Sequence, residues 1–247
     1  MIAEALGTPG LWGLIFAAFL ASVVRGFSGF GTGMIYIPIA SRFVDPIEAI
    51  ATMAVLDFFA PMPLIRPSLR IADRSDLLLL SVGLILLLPV GLYVLVRLPP
   101  DGFGWIVSLF ILAMVGAMMS GWRYQGKLNR PTLLGIGGVA GFTGGFLGLP
   151  GPPAILTYMA STKPVATIRA NLLLFLFLSD VFLLGILALR GDLTSSFIGI
   201  GLILAAPAIL GVLVGSRIFN PDHETTYRRV AYGIIIVSAL FAMPLFH

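Results

Sequence analysis

Arg25-Gly26-Phe27-Ser28-Gly29-Phe30-Gly31-Thr32-Gly33 and Gly141-Phe142-Thr143-Gly144-Gly145-Phe146-Leu147-Gly148-Leu149-Pro150-Gly151-Pro152-Pro153 decide the fold. Each interrupts an apolar stretch, 10–43 or 131–161, near its middle. Neither half of either stretch reaches the roughly 20 residues that a helix needs to cross a hydrocarbon core about 30 Å thick. Both stretches therefore read as broken helices. They also match one another. Gly26-Phe27-Ser28-Gly29 lies over Gly141-Phe142-Thr143-Gly144 at an offset of 115 (26 to 141), which also sets Gly33 over Gly148 and Pro38 over Pro153. Past a three-residue gap the offset becomes 118 (46 to 164), pairing Pro46 with Pro164 and Pro89 with Pro207. Apolar coincidences mean little in such a sequence, but glycine and proline coincidences do. The chain reads as a first repeat over 1–122, a cytoplasmic linker over 123–130 and a second repeat over 131–247.

Composition places these repeats in a bilayer. Of the 247 residues 58% are apolar and only 11% charged, with a mean hydropathy of +1.04. Soluble domains carry about 25% charged residues, so the fold class expected is an all-α polytopic membrane protein. Six further runs are long enough to cross: 47–66, 76–97, 103–122, 164–189, 195–218 and 227–246. Each half is then one broken helix, read as a re-entrant hairpin, followed by three transmembrane helices. Met1-Ile2-Ala3-Glu4 lacks a basic leader, so the first apolar run is expected to remain in the mature protein.

Orientation follows from the basic residues, because cytoplasmic loops collect Lys and Arg. With hairpins, Arg66, Arg70, Arg74, Arg123, Lys127, Arg130, Lys163, Arg217, Arg228 and Arg229 fall on one side, and only Arg42, Arg97 and Arg190 on the other. With eight ordinary spans the same residues divide almost evenly. Hairpins are preferred, which puts both termini outside the cytoplasm. Each half then crosses three times, and the second half is inverted relative to the first. Inverted repeats with discontinuous helices are typical of secondary transporters. Trp12, Trp105, Trp122 and Tyr227 fall near span ends as interfacial anchors.

The tips point to an anion. Glycine lets backbone approach a ligand, and each tip opens a short second arm whose first N–H groups carry the positive end of a helix dipole. Candidate substrate contacts are Arg25, Gly26, Ser28, Gly29, Gly31, Thr32 and Gly33 in the first tip, and Gly141, Thr143, Gly144, Gly145, Gly148 and Gly151 in the second. Arg25 adds a planar donor fork suited to oxyanions. Close helix packing is the competing reading of the glycines, and a structural ion pair with Asp57 or Asp180 is that of Arg25. Asp57 and Asp180, both interior to helices, are candidates for proton coupling. Arg169 and Asn171 are candidates for substrate contact or a gate, with snorkelling to the headgroups the alternative for Arg169.

Other classes recede. The chain has no cysteine, and His223 and His247 are its two histidines, so no metal or cofactor site is expected. The net charge of +4 is scattered in short clusters, which argues against a nucleic-acid partner; the expected partners are a small anion and the lipid bilayer. No G-x-x-x-x-G-K-[ST] motif is present, and Asp57 and Asp180 form no paired-acid motif, so no enzyme is expected. A membrane-embedded assembly subunit and a carboxylate permease are the alternatives.

Through Gly26-Phe27-Ser28-Gly29-Phe30-Gly31-Thr32-Gly33 with Pro38, and Gly141-Phe142-Thr143-Gly144-Gly145-Phe146-Leu147-Gly148 with Pro153, the chain resembles the TauE/SafE family of anion permeases. The likeness covers essentially the whole duplicated chain. It implies transport of sulfite, sulfoacetate or another sulfonate across the cytoplasmic membrane. Thr32 interrupts the first glycine run, and Leu149-Pro150-Gly151-Pro152 replaces part of the second.

Overall fold

The computed structural model describes residues 5–28, 30–59, 61–121, 124, 126, 128–158, 161–218, 220 and 223–243. Gly29, Trp122, Arg123, Lys127 and His247, each given a role above, lie outside the described residues. Among the described residues the regular structure is helical throughout, with no strand. The helices are α1 (Leu11–Ser28), α2 (Thr32–Ala40), α3 (Pro46–Phe59), α4 (Met62–Ile71), α5 (Arg74–Leu95), α6 (Pro100–Met119), α7 (Arg130–Leu147), α8 (Gly151–Tyr158), α9 (Val165–Arg190), α10 (Ser195–Ile218) and α11 (Glu224–Ala242).

Five stretches are long and apolar enough to cross a membrane: Leu11–Ser28, Arg74–Leu95, Gly102–Met119, Val165–Arg190 and Ser195–Ile218. A sixth, Pro46–Phe59 with Leu64–Ile71, counts only if the bent pair is one span. This corrects the expectation of one continuous crossing over 47–66; likewise Leu11–Ser28, expected to be an arm too short to cross, is long enough, and Glu224–Ala242, in the run expected to cross at 227–246, is not among these stretches. Helix α3 ends at Phe59, and α4 restarts after Pro61, because proline supplies no N–H and its ring clashes with the preceding turn. Both expected breaks are present. The first separates α1 from α2, with Gly31 in the left-handed region at φ 99. The second separates α7 from α8, with Gly148 at φ 69. An L side chain strains in that region, so glycine is required at each turn.

The chain forms two compact units. One comprises Met1–Leu56, Leu98–Gly116 and Leu193–His247; the other comprises Asp57–Arg97 and Ala117–Asp192. Each unit draws segments from both halves of the sequence.

Within the first unit α1 lies along α10 on glycine. A Cβ built on Gly26 would sit 2.5 Å from the Val212 carbonyl oxygen, and one on Gly211 would sit 2.6 Å from that of Phe19. Gly215 faces the Val23 carbonyl more closely still. Here α11 packs on α2, and the Ser108 hydroxyl donates to the Ala239 carbonyl at 2.6 Å, joining α6 to α11.

Within the second unit α7 lies along α5 in the same manner. Gly137, Gly141 and Gly145 present bare Cα atoms to the carbonyls of Leu80, Leu84 and Leu88, and Gly83 and Gly91 return the contact to Leu134 and Phe142. Association inside a bilayer has little hydrophobic drive and depends on such close backbone approach. The glycines are therefore what lets the long arm of each broken helix pack on a continuous one.

Candidate functional site

Each unit carries one broken-helix tip, and the two differ chemically. In the first, α1 ends at Ser28, whose hydroxyl lies 2.7 Å from the Val24 carbonyl and 2.9 Å from that of Phe30, satisfying the turn from within. Gly31 then starts α2 without a side-chain cap. Thr32, Gly33 and Met34 are its first helical residues, and their N–H groups have no acceptor within the helix. Arg25, in the last turn of α1, brings Nη1 to 3.5 Å from the buried Thr32 hydroxyl. That separation is at the limit for a hydrogen bond and suits two donors that share an oxyanion.

The second tip is poorer in donors. Thr143 is buried, and its single hydroxyl proton is taken by the Leu149 carbonyl at 2.9 Å or that of Ala140 at 3.2 Å. The turn closes on itself, Gly148 N–H donating to Gly144 O and Leu149 N–H to Thr143 O. Helix α8 begins Gly151-Pro152-Pro153, so two of its first three residues have no N–H to offer. At the repeat offset Ala140 stands where the first tip has Arg25. The sequence reading gave both tips a row of open N–H groups; only the first has the residues to supply one.

The glycines divide by position. Gly26, Gly141 and Gly145 face neighbouring backbone, as above. Gly31 and Gly148 make the turns, and Gly151 is in ordinary contact with Leu176 and Ile155. Gly144 looks toward Pro150 and toward Ser179 of α9, whose Oγ a Cβ would approach to 3.5 Å. Gly33 is buried within α2. Asp57 and Asp180, each partly buried on α3 and α9, both have interaction partners. Arg169 is exposed near the start of α9.

Asn171 lies in a cluster that sequence reasoning missed. In the second unit Lys163 Nζ contacts Asp73 Oδ2 and Asp76 Oδ2, each at 2.6 Å. Tyr158, the last residue of α8, donates its hydroxyl to Asp76 Oδ2 at 2.9 Å and accepts from Asn171 Nδ2 at 2.7 Å. Asn171 Oδ1 accepts from the Asp73 N–H at 2.9 Å. Asp73 caps α5 through the N–H groups of Ser75 and Asp76. Five side chains thus tie the end of the short arm α8 to the start of α5 and to α9. The first unit has an uncharged counterpart: Tyr36 of α2 meets Thr52 of α3, hydroxyl to hydroxyl, at 2.9 Å with both buried.

Asp73 and Lys163 lie in the connections outside the long spans, and Asp76 lies in the first turn of α5. The Lys163 hydrogen bond, then the backbone N–H groups, hold the Asp73 carboxyl below its ordinary value of 3.8. Burial pulls the Lys163 ammonium down, but the hydrogen bonds to Asp73 and Asp76 outweigh it, and the net shift is upward from 10.5. The signs fix the pH window. A lowered acid contributes stability above its unfolded pKa, lost as pH falls through the folded one; a raised base contributes below its unfolded pKa, lost as pH rises through the folded one. Thermal stability of the purified protein should be level between those limits and fall below about pH 4 and above about pH 10.5. Lys163→Met should cost about 1–2 kcal/mol near neutral pH, between the values for exposed and buried pairs, and should lessen the alkaline fall. A Lys163→Met protein with wild-type melting at every pH would mean that the cluster contributes nothing.

Long apolar helices with two broken ones define a polytopic, all-helical membrane protein. The chain belongs to the sulfite exporter TauE/SafE family, whose model matches residues 14–242. It is 26% identical, over 226 residues and 88% of each chain, to a Cupriavidus necator protein named "Probable sulfite/organosulfonate exporter TauE". No solved structure matches it. The chain is accordingly a membrane anion transporter and not an enzyme.

Proposed function

We propose that the protein is a secondary transporter of the cytoplasmic membrane that moves sulfite or a small organosulfonate by alternating access, with Arg25 and Thr32 as its principal substrate contacts. The observation that carries this reading is the placement of Arg25 Nη1 and Thr32 Oγ1 at 3.5 Å, beside the uncapped start of α2. Guanidinium, hydroxyl and backbone N–H are three kinds of oxyanion donor, and family membership favours a sulfur oxyanion as the ligand. In this reading Gly31 and Gly33 keep the approach to the backbone open. The second tip, through Thr143 and Gly148, holds its turn, while Gly144 and Gly151 leave room beside it.

The two repeats, 1–122 and 131–247 around a linker at 123–130, are proposed to be inverted, with both termini outside the cytoplasm. Asp57 and Asp180 are the proposed proton carriers, because an ionisable group inside a span is costly to keep without a use. Arg169 is placed at the cytoplasmic headgroups, and Asn171 serves α8 through Tyr158 in place of a direct substrate contact.

The test is thermal melting of the detergent-purified protein against sulfite, sulfoacetate, taurine, sulfate and acetate. A ligand that binds only the folded state raises apparent stability by about 2.7 kcal/mol at a hundred times its Kd. Sulfite or sulfoacetate should stabilise, and acetate should not. Stabilisation by acetate alone would replace the sulfonate reading with a carboxylate one. No response to any anion at millimolar concentration would favour a membrane-embedded assembly subunit.

A further inference from the structure

The short helix α4 is built unlike the spans. Its ten residues, Met62–Ile71, rise about 15 Å, half the hydrocarbon thickness. Met62, Leu64, Leu69 and Ile71 are exposed, and so are Arg66 and Arg70. Exposed apolar and cationic side chains together on a short helix mark an element that lies in the headgroup region and does not cross it.

Arg66, Arg70 and Arg74, with Leu69 and Ala72, line an open pocket of about 540 Å³. Among the described residues none of the three guanidinium groups is in a salt bridge. Arg66 and Arg70 are four apart on one helix, where like charges oppose helix formation. Asp73 sits in sequence between Arg70 and Arg74, yet its carboxylate is committed to Lys163 and to the first N–H groups of α5. The nearest acid in sequence is thus turned to other partners, and the pocket keeps its positive charge.

We propose that this pocket binds the phosphate group of an anionic phospholipid. Arginine forks hold phosphate bidentately where an ammonium holds it as a point charge. The exposed apolar side chains beside the pocket fit an acyl chain, which a free phosphate lacks, and a rank of cations at the cytoplasmic edge of a span is where anionic headgroups collect.

The experiment uses the full chain in detergent, delipidated, with phosphatidylglycerol, phosphatidylcholine, inorganic phosphate or sulfite added, read by melting temperature and by native mass spectrometry of retained lipid. Phosphatidylglycerol should stabilise the wild type saturably and stay bound, while phosphatidylcholine and inorganic phosphate do neither. Each cation near an anionic surface contributes a factor of about five, so Arg66→Gln/Arg70→Gln/Arg74→Gln should weaken phosphatidylglycerol roughly a hundredfold. The single variant Arg70→Gln, with a smaller loss expected, serves if the triple variant does not fold. Equal retention of phosphatidylglycerol by wild type and variants overturns the proposal. Matching stabilisation by inorganic phosphate or by sulfite also overturns it, since the pocket would then take a free anion.

Discussion

Gly145→Val is expected to leave no monodisperse folded protein after detergent extraction, whereas Gly135→Val on the same helix should leave yield and melting temperature within a degree or two of wild type. The two glycines are ten residues apart in number but opposite in setting. A Cβ on Gly145 would fall on the Leu88 carbonyl and close to the Leu92 N–H, while one on Gly135 meets nothing within 4 Å among the described residues. Overpacking against side chains costs about 1–3 kcal/mol because the side chains yield. Here the opposing atoms are backbone of α5, which cannot yield without moving the helix. One valine would therefore separate α7 from α5 along the row where Gly137 and Gly141 also touch Leu80 and Leu84. Fluorescence-detected size exclusion on the two variants reads the difference. A Gly145→Val protein that elutes and melts like wild type would show that the glycine row is not what joins these helices.

That prediction marks where the sequence was legible and where it misled. Hydropathy located the spans Arg74–Leu95, Gly102–Met119, Val165–Arg190 and Ser195–Ile218 but not Leu11–Ser28, and the glycine clusters located both breaks, because a left-handed turn at Gly31 or Gly148 leaves a glycine whatever its surroundings. The same clusters concealed a second use. Gly137, Gly141 and Gly145 recur every four residues, the spacing of one helix face, and their contacts with the α5 backbone favour packing, the competing reading of these glycines, at Gly141 and Gly145. The break after Phe59 was marked by Pro61, Pro63 and Pro67, but a run of apolar residues continues through them, and hydropathy averages over a proline that hydrogen bonding cannot. The Lys163 cluster was beyond reach for a different reason. Its partners Asp73 and Asp76 lie 90 and 87 positions away, and at the repeat offset Lys163 meets Asp45 and Asn171 meets Met53, so no internal match drew attention to it.

The asymmetry between the tips leads to the second large effect. Arg25→Gln is expected to weaken sulfite or sulfonate binding by roughly 10- to 150-fold, the loss of about 1.5–3 kcal/mol that a hydrogen bond to a charged group contributes. Arg25→Lys should recover part of this, since the charge remains and the planar fork does not. Thr32→Ala should cost about five- to tenfold, and Thr143→Ala should leave affinity unchanged, because its proton already serves backbone carbonyls. The measurement is ligand-induced shift in melting temperature, fitted for Kd, beside the melting temperature without ligand. The second quantity separates two roles of Arg25. If its role is a structural ion pair, Arg25→Gln strands a partner and lowers the ligand-free melting temperature, with the ligand response of the surviving fold intact. If it serves the substrate, the ligand-free protein melts no lower than wild type, since a cation held inside the membrane at a cost of at least ~2.5 kcal/mol has been removed, while the response to anion disappears. Only the latter pattern supports Arg25 as the transporter's anion ligand, and a response lost equally in Thr143→Ala would assign the site to both tips instead of the first.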